Sequence, residues 1–88
     1  MTESIEEKIR YAKVLFRCLR EGPMTWMELE KRMIAKCGTH GKFVNLMRWL
    51  VKEEFIIKMG PQKSRAPYQL NPNKVAFTEE GEVIIKIS

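Results

Sequence analysis

Two glycine interruptions, Glu21-Gly22-Pro23 and Cys37-Gly38-Thr39, cut the first sixty per cent of this 88-residue chain into three short runs with helical periodicity. None of the three is long enough to be stable alone in water, so each must bury its apolar face against the others. In the first run, residues 4–20, Ile5, Ile9, Ala12, Phe16 and Leu19 recur at helical spacing, with Ser4 as a cap and Glu7 three residues on. A flanking strip of Tyr11, Val14 and Cys18 widens that face and serves either as extra core or as a surface for self-association. Arg10, Lys13, Arg17 and Arg20 occupy the solvated side.

The second run opens with "PMTWMELEKRM", where Thr25 and Glu28 form the two ends of a capping box, so a helix is predicted from about Trp26. Met27, Leu29, Met33 and Ile34 are its apolar positions, and Trp26 is expected to pack under the first strand. Gly38 suits the left-handed residue that ends a helix. After Thr39 a third helix is predicted, with Phe43, Leu46, Met47 and Leu50 inward at spacings of three and four. Trp49 stands beside its outward arc.

From Phe55 the pattern changes. "FIIKM" and "YQLN" read as two short strands around the loop "GPQKSRAP", a long hairpin with a basic tip. The tail "NPNKVAFTEEGEVIIKIS" has two readings. Val75, Phe77, Val83, Ile85 and Ile87 alternate as in a hairpin, towards which the pattern leans, whereas Thr78 could equally cap a last helix.

Charge is unevenly placed. The chain has 16 basic and 11 acidic residues, and every acid is Glu. Between Lys36 and Lys74 eight basic residues face only Glu53 and Glu54, while the rest of the chain is close to neutral. A positive middle section favours an anionic partner.

Enzymatic chemistry finds little support. A cysteine nucleophile would need a base and a third orienting group, but His40 is the sole histidine and there is no Asp. Cys37 and His40 make a C-x-x-H pair, but a structural zinc site takes four ligands and Cys18 is the only other thiol; neither metal nor cofactor is expected. Nor does any pocket-forming pattern imply a small-molecule ligand. Uncharged runs are far shorter than the roughly 20 residues of a bilayer span. The acidic, amphipathic start "MTESIEEKIR" is unlike a secretion signal, and two cysteines suit free thiols in a reducing compartment, so a cytoplasmic protein is expected.

Taken in order, helix, extended piece at Met24, helix, glycine turn, helix, strand, basic loop and strand resemble the winged helix-turn-helix family of DNA-binding domains. The likeness spans residues 4–71 of a single domain, 1–88, with 72–88 as a C-terminal extension. It is carried by "EGPMTWMELEKRM", the glycine turn, "GKFVNLMRWLVKEEFIIK" and the closing "YQLN". Small archaeal and viral transcription regulators of that family are similar in size. The resemblance implies an α+β fold of three helices plus a two- or three-stranded wing, followed by a C-terminal hairpin or short helix. In family members "LTEEG" often leads into a last helix; "FTEEG" at 77–81 is similar but stands later.

The same resemblance implies a function. The third helix would enter the major groove of double-stranded DNA, presenting Gly41, Lys42, Val44, Asn45 and Arg48 to base edges and Thr39 or His40 to phosphate. Gln62, Lys63, Ser64 and Arg65 of the wing would reach backbone or minor groove. A homodimer is expected, because one small module makes few base contacts; Tyr11, Val14 and Cys18, or the "VIIKIS" tail, would supply its surface. The alternative is a winged-helix protein-interaction module inside a larger assembly, without DNA readout.

Overall fold

The structure is a computed structural model that describes residues 5–60 and 65–86. It is an α+β fold of three helices and two small antiparallel sheets. Helices α1 (Ile5–Arg20), α2 (Trp26–Cys37) and α3 (His40–Lys52) enclose the core. Strand β1 (Met24–Thr25) lies in the α1–α2 link, and β2 (Ile56–Lys58) and β3 (Pro67–Leu70) flank the basic loop. β3 is central in the first sheet, with β1 on one side and β2 on the other. Its register pairs Met24 with Tyr68 and Ile57 with Gln69. Strands β4 (Val75–Phe77) and β5 (Val83–Ile85) form the second sheet.

The core is apolar throughout. Ala12, Leu15, Phe16 and Leu19 of α1 meet Leu29, Met33 and Cys37 of α2 and Phe43, Leu46, Met47 and Leu50 of α3, with Ile56 and Tyr68 closing the sheet side. Among the described residues no charged or polar side chain is buried. Four apolar positions assigned to the core lie outside it: Ile5 and Met27 are each 59% exposed, and Ile9 and Ile34 are half-buried without joining the cluster. Ile5 and Met27 sit in the first turn of their helix, where spacing gives the right angle but, among the described residues, no neighbouring element covers them. Leu15 takes up core space instead, fully buried. Ser4, the expected cap of α1, falls outside the described residues.

Helix starts follow their sequence signals. Thr25 Oγ1 accepts from the Glu28 N–H at 3.3 Å, and Glu28 Oε1 accepts from the Thr25 N–H at 3.1 Å, a complete capping box. These bonds to the Thr25 backbone and then to its hydroxyl hold the Glu28 carboxyl below its ordinary 4.5. Gly38, at φ +89°, ends α2 by donating its N–H to the Ile34 carbonyl. Trp26 packs against the core, its ring meeting Phe43 at 5.2 Å edge-on and Tyr68 of β3 at 6.4 Å.

The end of α3 is a joint between the two sheets. Glu54 takes φ +63°, and its N–H bonds the Val51 carbonyl while the Phe55 N–H bonds that of Leu50, the pair of bonds that defines a Schellman turn. A glycine usually fills that left-handed position; here it is a glutamate. Asn71 holds the turn from outside. Its side-chain amide donates to the Glu54 carbonyl at 2.8 Å, and its Oδ1 accepts from the Asn73 N–H at 3.0 Å. The Asn71 N–H bonds the Phe55 carbonyl, and its own carbonyl accepts from Lys74 and Val75.

The tail is a hairpin. Thr78 begins a tight loop whose left-handed residue is Gly81, at φ +88°, and the Thr78 N–H bonds the Glu82 carbonyl at 2.9 Å. A helix from Thr78 would have carried Gly81 within its first turn and broken the alternation that sends Phe77, Val83 and Ile85 inward. The hairpin is part of the core: Val75 is buried in it, and Phe77, Val83 and Ile85 pack against it.

Candidate nucleic-acid interface

Helix α3 carries no acidic residue along His40–Lys52. Thr39 caps it, its Oγ1 accepting from the Lys42 N–H at 3.2 Å. With Phe43, Leu46, Met47 and Leu50 buried, a rotation of about 100° per residue puts Gly41, Asn45, Arg48 and Lys52 on the opposite arc, and all four are exposed. Among the described residues neither Arg48 nor Lys52 has a carboxylate in ion-pair contact.

Its flanks are engaged with neighbours. On one side Lys42 is half-buried and its Nζ lies 3.6 Å from Glu7 Oε1 of α1. Trp49 shares that side, half-buried, with Phe55 at 5.6 Å and Lys8 Nζ over its ring at 5.8 Å. On the other side the exposed His40 ring pairs through Nδ1 with Glu30 of α2, and Val44 is half-buried. Of the six candidates on the helix, Asn45 and Arg48 therefore stand outward and, among the described residues, without a side-chain partner, Thr39 and His40 are exposed but bonded, and Lys42 and Val44 face the sides. Lys52 was not among those candidates. Its signal was present in the four-residue step from Arg48, which continues the same arc into the last turn.

The loop between β2 and β3 starts from a paired base, since the Met59 N–H donates to the Pro67 carbonyl at 2.7 Å. Arg65 is exposed beside the buried Ala66. Gln62, Lys63 and Ser64 lie outside the described residues. On the sheet below, burial pushes the Tyr68 hydroxyl above its ordinary 10.

Tyr11, Val14 and Cys18 are half-buried and pack against the core, so they broaden the α1 contact face. The Arg10 guanidinium covers the Tyr11 ring at 5.4 Å. Cys18 and the buried Cys37 are not joined in a disulfide. Among the described residues no helix is long and apolar enough to cross a membrane, and no three metal-ligating side chains gather. Comparison with family models, curated proteins and solved structures gave no match for this chain.

Proposed function

We propose that this chain is a winged helix-turn-helix protein that binds double-stranded DNA sequence-specifically, as a small transcription regulator and a homodimer. One observation carries the reading: Gly41, Asn45, Arg48 and Lys52 are exposed together on a helix with no acidic residue. A major groove about 12 Å wide admits an α-helix, and these side chains suit its contents. The Arg48 guanidinium matches guanine O6 and N7, the Asn45 amide matches adenine N6 and N7, and Gly41 lets the backbone come close. Lys52 and Arg65 suit phosphate oxygens, which fix register without reading sequence. Lys42 differs from them. Because Glu7 already neutralises it, moving it onto a phosphate exchanges one anion for another and adds little.

The test is binding of a labelled random-sequence duplex across a salt series. Wild type should bind at low salt, and Lys52→Ala and Arg65→Ala should each flatten the log–log salt slope by about 0.9. Lys42→Ala should change it least of the four basic positions. No binding at low salt sinks the proposal. The second reading, a protein-interaction module, is favoured by Ile57 and Met59, two residues apart on one face and 39% and 48% exposed; it gains if duplex binding fails.

A further inference from the structure

We infer that the free edge of β5 is a self-pairing strand: two copies of the chain join β5 to β5 antiparallel, with Ile84 on the twofold axis. This deepens the homodimer in the reading above, but it concerns the protein without DNA and is tested that way.

The β4–β5 ladder determines which backbone groups are available. The Thr78 N–H bonds the Glu82 carbonyl and the Lys86 N–H bonds the Lys74 carbonyl, with Ala76 opposite Ile84 between them. Hydrogen-bonded pairs alternate along an antiparallel ladder, so Ile84 directs its N–H and C=O towards β4. Val83 and Ile85 direct theirs to the open side. Among the described residues, no backbone hydrogen bond from outside that ladder reaches residues 83–85.

Side chains alternate just as cleanly. Val83 and Ile85 are turned in against the core, while Glu82, Ile84 and Lys86 are exposed. Ile84 is 44% exposed, a large apolar residue in the middle of that edge. Edge strands avoid pairing by shortness, a proline, a bulge or a charge within the strand; Val83–Ile85 is short, at three residues, but has none of the other three.

A second copy of the same strand complements this edge in one register. With Ile84 opposite the partner's Ile84, Val83 exchanges both backbone bonds with the partner's Ile85, and Ile85 does so with the partner's Val83, four bonds in all. On the outer face Glu82 then stands opposite the partner's Lys86, and Lys86 opposite the partner's Glu82. Opposite charges directly across a strand pair attract, and like charges repel. Shifting the axis to Val83 sets Glu82 against the partner's Ile84; shifting it to Ile85 sets Ile84 against the partner's Lys86. Either slip loses both charge pairs. Among the described residues the Lys86 ammonium has only a long contact to give up, 3.5 Å to the Pro72 carbonyl. Three-residue strands bury far less than the roughly 1,600 Å² of a standard interface, so the dimer is weak and exchanges with monomer.

Sedimentation across the micromolar to millimolar range, with no DNA present, tests the pairing. Wild type should show a concentration-dependent monomer–dimer equilibrium. Glu82→Lys and Lys86→Glu each place two like-charge pairs across the axis and should weaken dimerisation at least about fivefold. They change net charge in opposite directions, so a shared loss cannot come from overall repulsion. The double variant Glu82→Lys/Lys86→Glu restores both pairs and should return the dimer to within about twofold of wild type. Ile84→Lys, at an exposed position, should abolish it with the circular dichroism unchanged. A wild-type chain that stays monomeric, a dimer indifferent to either reversal, or a double variant that fails to recover would overturn the assignment. A dimer that behaves as described but binds no duplex refutes only the DNA reading.

Discussion

Replacing Asn71 by alanine removes the two side-chain bonds that tie the end of α3 to the start of the second sheet. One runs from the amide to the Glu54 carbonyl at 2.8 Å, the other from the Asn73 N–H to Oδ1 at 3.0 Å. A net intramolecular hydrogen bond contributes about 0.5–1.5 kcal/mol. Glu54 is exposed and Asn71 only half-buried, so water replaces part of what is lost and the lower half of the range applies to each bond. Against that, Glu54 sits at φ +63°, a conformation costing a non-glycine residue about 1 kcal/mol, and Asn71 is one of the groups holding it there. We predict a loss of about 1–2 kcal/mol. In a domain of this size each kcal/mol shifts Tm by about 4–8 °C. Trp49, 5.6 Å from Phe55 at this corner, gives a fluorescence signal for urea unfolding. Asn71→Asp separates the two bonds, since it keeps the acceptor for Asn73 and loses the donor to Glu54. An alanine variant within about 0.3 kcal/mol of wild type, or an aspartate variant as stable as asparagine, would refute the joint as described.

Three further outcomes are expected. Glu54→Gly should raise stability by about 1 kcal/mol, read from the urea midpoint, because glycine adopts the left-handed position without strain. Gly81→Ala should destabilise, as a side chain there meets φ +88° and its Cβ would lie 2.8 Å from Arg20 Nη1, disturbing the guanidinium that covers Phe77 at 5.0 Å; a wild-type Tm would contradict this. The Glu28 carboxyl, held below 4.5 in the fold, contributes stability that is complete above that value and declines as pH falls through the lower folded one. Glu28→Gln should therefore weaken the acid dependence of the urea midpoint between neutral pH and about pH 3, and an unchanged dependence would count against the capping box as its source.

Local signals were the ones the sequence stated clearly. Thr25 and Glu28 act within four residues, and Phe43, Leu46, Met47 and Leu50 share one face wherever α3 is placed, so the start of α2 and the inner side of α3 were readable directly. Gly38 marked the turn for the same reason. Ile5 and Met27 show the limit: spacing assigns an angle on a helix, but whether another element covers that angle depends on where the chain returns. Lys42 is the equivalent case at the candidate site. Its partner, Glu7, lies on another helix, and no pattern near either residue announces the pair. Glu54 was hidden for a different reason, since a left-handed residue is sought among glycines and asparagines. The hairpin was legible as an alternation, yet its place in the core depends on Val75 and Ile85 meeting helices formed much earlier in the chain.

The central position of β3 carries a consequence for how the molecule assembles. Tyr68 is opposite Lys58 on one side and opposite Met24, half the chain away, on the other. Closing the longer loop costs about 1 kcal/mol more chain entropy than closing the shorter one, and the return is a strand of only two residues. Strand β1 is expected to join after α1 and α2 have packed, since their packing brings Met24 to the sheet. The two-residue strand is thus a seal on a finished helical assembly rather than a template for it, and opening of the native protein should begin there.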